Sequence, residues 1–210
     1  DGVLVDSEFL ALEIELTSLK ELGLEFDLEA YQQRHLGTTS TEFFREISND
    51  YQAKFGEQLP EGFRESVGAR YQEAFSTRLE VIPGIRAALQ GISVPMAVAS
   101  GSSPTGLQQK LKHTDLIQFF GEHVYSSHQV ERGKPSPDLF LFAADSLRVD
   151  PAICTVIEDS AKGVQAAVAA GMRAIGFTGG GHCLPGHGKE LLAAGAERIV
   201  SQMANLNAAL

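Results

Sequence analysis

The sequence has only two cysteines, Cys154 and Cys183, and they do not form a CxxC pair. A disulfide framework needs more thiols at closer spacing, so we expect reduced cysteines in a cytoplasmic protein. Positive charge is also scarce, because 17 Lys and Arg are outnumbered by 27 Asp and Glu, and the formal net charge is −10. Nucleic acids and anionic membranes bind basic surfaces, so neither is an expected partner.

Long apolar runs and known cofactor loops are missing as well. No run approaches the roughly 18 residues of a membrane span, and no signal-peptide pattern is visible. The glycine-rich stretch at 179–181 does not have P-loop spacing, because Lys189 is followed by Glu190, and no dinucleotide fingerprint follows a strand. The 210 residues, 43% hydrophobic, are enough for an α/β domain with a small insertion.

Hydrophobic periodicity divides the chain near residue 80. Before it, apolar residues recur at helical spacing, as in Phe9, Leu12, Leu16 and Leu19, and again in two stripes that end at Phe55 and Phe75. After it, short apolar runs near 96–99, 123–125, 153–157, 174–177 and 199–200 alternate with helical segments. This pattern predicts a parallel-sheet α/β core from residues 1–7 and 81–210, with a helical bundle inserted at 8–80.

Polar side chains follow several of the predicted strands, and an acidic turn opens the chain. The four groups are Asp1, the Ser100-Gly101-Ser102 turn, Lys134 and the Glu158-Asp159 pair. Paired carboxylates suit Mg²⁺, a Gly-Ser turn can bind an anion, and an ammonium can meet phosphate. Taken singly, Lys134 can be a solvated lysine, and Glu158-Asp159 can simply favour the helix that follows.

The order of four segments is more specific than any one of them. They are DGVLVDS at 1–7, VASGS at 98–102, KPSPD at 134–138 and VIEDS at 156–160. In this order they resemble the four motifs of the haloacid dehalogenase superfamily of phosphohydrolases, over essentially the whole chain. The chain is most similar to the subfamily of beta-phosphoglucomutase, phosphoglycolate phosphatase and small sugar-phosphate phosphatases. That resemblance implies a Rossmann-like core with a helical cap, and a first core strand that lies before Asp1.

The resemblance also implies roles for individual residues. The nucleophile is an aspartate two residues before Asp1, which forms an aspartyl-phosphate. Asp1 protonates the leaving oxygen, then activates water, and its backbone carbonyl binds Mg²⁺. The other implied site residues are Ser100, Gly101 and Lys134 for the phosphoryl group, and Glu158 and Asp159 for Mg²⁺.

The predicted function is a Mg²⁺-dependent phosphatase of a small phosphorylated metabolite, in particular a sugar phosphate, acting as a monomer or weak homo-oligomer. Beta-phosphoglucomutases carry a cap histidine where this chain has Ala11, and basic residues at a hinge turn that is uncharged here at 36–40. Ser7, Thr38 and Thr39 are weaker candidates for substrate contact.

Three alternatives stay open. One is a phosphomutase of the same family, and a second is a dehalogenase, which would not need the Glu158-Asp159 metal pair. A third is a catalytically inactive relative that binds a ligand or partner.

A further cluster at 179–187 contains His182, Cys183 and His187. It is compatible with a metal-binding loop, but a closed zinc site needs four ligands. We therefore expect a flexible loop here.

Overall fold

The computed structural model describes residues 1–35 and 40–210, and these residues form two compact units. One unit comprises Asp1–Phe9 and Arg78–Leu210, and the other comprises Leu10–Thr77. The candidate substrate contacts Thr38 and Thr39 lie outside the described residues.

Four helices occupy most of residues 7–77: α1 (Ser7–Glu21), α2 (Leu28–His35), α3 (Ser40–Phe55) and α4 (Phe63–Thr77). Each helix contributes at least one buried side chain, and Leu19, Tyr31, Ile47 and Val67 are at most 1% exposed. The helical interpretation of this region is therefore confirmed. Phe9 and Phe55 belong to the predicted stripes but are exposed, since they lie in the first turn of α1 and at the last residue of α3.

A carboxylate lies within this helical unit. Tyr31 donates a hydrogen bond to Glu15 Oε2 at 2.9 Å, and Tyr71 donates one to Glu15 Oε1. Burial raises the pKa of Glu15, and the two hydrogen bonds only partly oppose that rise. Glu15 thus joins three helices through polar contacts.

Strands alternate with helices in the larger unit. In chain order they are α5 (Ile85–Gln90), β1 (Val98–Ser100), α6 (Pro104–His113), β2 (Val124–Ser126), α7 (Asp138–Leu147), β3 (Thr155–Glu158), α8 (Ala161–Ala169), β4 (Arg173–Phe177), α9 (His187–Ala193), β5 (Arg198–Val200) and α10 (Leu206–Ala209). Strand β1 pairs with β2, and β3, β4 and β5 form a second sheet in that order. These pairs are parallel, which confirms the predicted α/β fold class.

The core of this unit lies between the second sheet and its helices. Val164 and Ala167 of α8 pack with Ala174 of β4 and Leu191 of α9 in one buried cluster. Burial of Leu191 also explains α9, a helix that the sequence analysis did not predict and that contains Gly188, a weak helix former. Tertiary packing outweighs weak local propensity at this position.

The strand boundaries differ slightly from the apolar runs. Strands β1 and β3 include Ser100 and Glu158, one residue beyond the runs that predicted them. Backbone pairing does not depend on side-chain polarity, so a polar residue can complete the ladder. As a result, both polar residues are held at the carboxyl ends of strands.

Among the described residues, no helix combines the length and apolarity required to cross a membrane.

Candidate active site

The candidate site lies at the carboxyl ends of β1 and β3, where parallel sheets commonly bind ligands. Ser100 ends β1 and Glu158 ends β3, while Gly101 and Asp159 follow directly. Segment 1–8 reaches the same place, because Asp1 contacts Ser100.

The Asp1 carboxylate receives four hydrogen-bond donors. Ser7 donates to Oδ1 at 2.6 Å, and Ser100 and Ser102 each donate to Oδ2 at 2.7 Å. The fourth donor is the Lys110 ammonium. These four hydrogen bonds restrict the rotation of the Asp1 carboxylate. Ser7, a candidate substrate contact, is buried and used to orient Asp1.

Lys110 is a site residue that the sequence analysis missed. It lies in α6 with its side chain only 9% exposed, and its ammonium also donates to Ser102 Oγ at 3.0 Å. Burial lowers the pKa of Lys110 to about 8. Helical spacing could have identified it, because Lys110 lies on the same face of α6 as the buried residues Leu107 and Leu111. A lysine on that face needs a polar partner inside the protein.

Lys134 forms an ion pair with Glu158. Its ammonium also donates to the backbone oxygen of Ala99 at 3.2 Å, so one cation bridges β1 and β3. Glu158 Oε2 accepts from the backbone and hydroxyl of Ser160 at 3.0 and 2.9 Å. Gly101 is open, since a Cβ built there would meet no described atom within 4 Å.

Asp159 lies against the backbone of Gly2. A Cβ built on Gly2 would be 1.7 Å from Asp159 Oδ2, and Gly2 has a φ of +65°. Glycine is therefore required at position 2 for two reasons, the close approach and the left-handed conformation. Burial raises the pKa of Glu8, and the negative charge of Asp159 adds to that rise.

The 179–187 segment is more ordered than the flexible loop we expected. His182 and His187 are buried, at 2% and 9% exposure, and both contact Asp159. Burial opposes the charge on both members of the His182–Asp159 pair, but their hydrogen bond and the attraction of nearby opposite charges together outweigh it. The pKa of His182 is raised to about 10, and that of Asp159 is lowered. The segment is held by contacts with Asp159, which directly follows β3. The glycine-rich composition predicted a loop and gave no indication of these long-range contacts.

Two groups of side chains offer metal ligands of different kinds. Asp1, Glu158 and Asp159 carry carboxylate oxygens near the ends of β1 and β3, and oxygen ligands are the kind that Mg²⁺ prefers. His182, Cys183 and His187 hold their nitrogen and sulfur atoms within 4.8 Å of one another, and such softer ligands suit zinc better.

Comparison with known proteins decides the family. The model of a hydrolase family, described as haloacid dehalogenase-like hydrolase, matches residues 1–171. The chain belongs to the haloacid dehalogenase-like hydrolases. The "Phosphorylated carbohydrates phosphatase" of Thermotoga maritima is 32% identical to this hydrolase over 99% of the chain and 94% of the relative. The "6-phosphogluconate phosphatase" of Escherichia coli K12 is 29% identical over 88% of the chain and 82% of the relative.

Solved structures agree with this membership. A haloacid dehalogenase-like protein of unknown function from Agrobacterium tumefaciens C58 has a TM-score of 0.88 and 34% identity, covering 100% of the hydrolase and 93% of that protein. A HAD family hydrolase from Deinococcus radiodurans R1, solved with phosphate and sodium, has a TM-score of 0.85 and 33% identity, covering 100% and 91%. The resemblance inferred from the four motifs is therefore confirmed.

Proposed function

We propose that this hydrolase is a Mg²⁺-dependent phosphatase of a small phosphorylated carbohydrate, working through an aspartyl-phosphate. The main support is the convergence of Asp1, Ser100, Lys134, Glu158 and Asp159 at the carboxyl ends of β1 and β3. Cations, hydroxyl donors and carboxylates directed at one place are the groups that phosphoryl transfer requires.

The carbohydrate class is proposed from the names of two relatives, which act on 6-phosphogluconate and on phosphorylated carbohydrates. The hydrolase carries a net charge of −10, so an anionic substrate needs cations within the site itself. Lys110 and Lys134 are two such cations. We propose that the helical unit, residues 10–77, acts as the cap that selects among phosphorylated compounds.

The proposed chemistry proceeds in two displacements. A carboxylate oxygen of the aspartate before Asp1 bonds to phosphorus, the ester oxygen–phosphorus bond breaks, and Asp1 gives a proton to the leaving oxygen. Water then displaces the aspartyl oxygen from phosphorus while Asp1 takes a proton from that water. Ser100 and Lys134 stabilise the charge on the phosphoryl oxygens during both steps.

Glu158, Asp159 and the backbone carbonyl of Asp1 would hold Mg²⁺. When bound, Mg²⁺ neutralises charge on the phosphoryl group and helps to orient it. The residues of the chain supply the remaining functions, which are proton transfer by Asp1 and anion binding by Ser100 and Lys134.

The test is phosphate release from a panel of sugar phosphates and phosphorylated sugar acids, by a chain that carries the aspartate before Asp1. We expect release with Mg²⁺ and its loss with a chelator. Efficient isomerisation with a bisphosphorylated sugar would favour a phosphomutase, and chloride release from a haloacid without metal would favour a dehalogenase. No turnover of any substrate would favour a binding role.

Two lysine variants make the test specific to the site. Lys134→Ala should reduce kcat/KM by at least about 100-fold, because the loss of one charge-stabilising donor costs roughly that much. Lys112→Ala is the matched control, since Lys112 is exposed on α6. Equal activity of the two variants would contradict the proposed role of Lys134.

A further inference from the structure

His182 and His187 lie in one segment, and both contact Asp159. One contacts its carboxylate and the other its backbone oxygen. His182 Nε2 lies 3.1 Å from the Asp159 carboxylate oxygen Oδ2. His187 Nε2 lies 2.5 Å from the Asp159 backbone oxygen. A carbonyl oxygen can only accept, so His187 carries its proton on Nε2 and donates it. An ionised carboxylate also only accepts, and His182 Nε2 is the donor to it.

The segment that carries these histidines is itself fixed. The Gly181 amide donates to Asp6 Oδ1 at 3.0 Å, which ties the segment to the residues that follow Asp1. A Cβ built on Gly180 would lie 2.7 Å from His182 Cε1, so glycine allows the imidazole to approach the backbone. The backbone that carries the His182 ring is therefore held in place by Gly181, and Gly180 leaves room for the ring.

We propose that His182 is a positioning residue, which holds the Asp159 carboxylate in the orientation that binds Mg²⁺, while His187 holds the Asp159 backbone. This inference rests on the proposed function, in which Asp159 is a Mg²⁺ ligand. A hydrogen bond to one carboxylate oxygen limits rotation of the group, so that the other oxygen would be held in place to bind Mg²⁺. Outer-shell partners of this kind commonly change metal affinity by about 10- to 100-fold.

The same residues allow one competing interpretation. His182, Cys183 and His187 could together bind a thiophilic cation such as Zn²⁺. In the structure, however, the Nε2 atoms of both histidines are engaged with Asp159. A metal at the cluster would therefore compete with Asp159 for His182, and we take the positioning role as the proposal.

The experiment measures Mg²⁺ binding by isothermal titration calorimetry, with no substrate present. We expect His182→Ala to raise the Mg²⁺ Kd about 10- to 100-fold. His182→Gln keeps an N–H donor and should recover part of that affinity, which a loss of packing alone would not explain. His113→Ala, an exposed histidine at the end of α6, is the matched control and should bind as the parent does. Activity at saturating Mg²⁺ should fall much less than activity at limiting Mg²⁺.

An unchanged Mg²⁺ Kd in His182→Ala would overturn the inference. Asp159→Asn separates that failure from a failure of the proposed function. If Asp159→Asn weakens Mg²⁺ binding and His182→Ala does not, only the positioning role is wrong. If neither weakens it, the assignment of Asp159 as a ligand is wrong as well. Should His182→Ala fail to fold, His182→Leu, which fills the space without an N–H donor, carries the test, and an unchanged Mg²⁺ Kd in that variant would overturn the proposal. One equivalent of Zn²⁺ retained by the Mg²⁺-loaded protein, and lost in Cys183→Ser, would also overturn it.

Discussion

Gly163→Ala should damage this hydrolase even though alanine is a better helix former than glycine. Gly163 is the third residue of α8, and a Cβ built there would lie 2.0 Å from Glu158 Cδ and 2.2 Å from Glu158 Oε2. Glu158 is buried and is held by Lys134 and Ser160, so its carboxylate cannot turn away without losing a partner. The substitution therefore has two opposite effects: alanine favours the helix, but its Cβ displaces the Glu158 carboxylate.

The magnitude follows from the size of the required shift. Ordinary contact begins at 3.4 Å, so the Glu158 carboxylate must move from 2.0 Å to that distance, a shift of about 1.4 Å. Such a shift breaks a hydrogen bond to a charged group, at a cost of about 1.5–3 kcal/mol. The helix gains at most about 1 kcal/mol from alanine. We expect a net loss of about 0.5–2 kcal/mol in the free energy of unfolding, together with weaker Mg²⁺ binding.

Gly68→Ala is the matched control. Gly68 lies within α4, and a Cβ built there would meet no described atom within 4 Å. Alanine should therefore raise the free energy of unfolding by about 0.5–1 kcal/mol. Urea denaturation followed by circular dichroism measures both variants, and calorimetry gives the Mg²⁺ affinity. The reasoning is refuted if Gly163→Ala stabilises as much as Gly68→Ala and leaves Mg²⁺ binding unchanged.

Three further predictions concern other parts of the chain. Lys110→Met should lower kcat/KM at least about 10-fold, because it leaves the Asp1 carboxylate without its cationic partner, whereas Lys112→Met should be neutral. For Glu15, burial raises the folded-state pKa above its ordinary 4.5. Its stabilising contribution is thus complete below about pH 4.5 and is lost as pH rises through the folded-state pKa, so Glu15→Gln should flatten the stability profile measured in urea at successive pH values. Ser103 Oγ accepts from the Gly106 amide at 3.2 Å as the N-cap of α6, and Ser103→Ala should cost about 1 kcal/mol in the same assay; an unchanged midpoint would contradict that capping role.

The sequence alone determined the fold class and the family. The helical stripes before residue 80 and the alternation of strands and helices after it follow from periodicity, which depends on neighbours within a few positions. The four motifs add order along the chain, and residues such as Ser100 and Glu158 could be assigned to strand ends for that reason. Parallel strands end at one edge of a sheet, so the sequence led us to expect that these residues converge. In the structure β1 and β3 belong to different sheets, and Lys134 connects the two through Ala99 and Glu158.

Only the tertiary structure decided which polar groups meet. Lys110 lies 109 positions from Asp1, and no local pattern connects them, yet the two side chains form an ion pair. His182 and His187 likewise belong to a glycine-rich segment whose composition predicted a loop, and their contacts with Asp159 arise only when that segment folds against the end of β3. Helical and strand periodicity reports the environment of each side chain as apolar or polar. The partner of a buried charge, by contrast, is set by distances of a few ångströms between residues far apart in the chain.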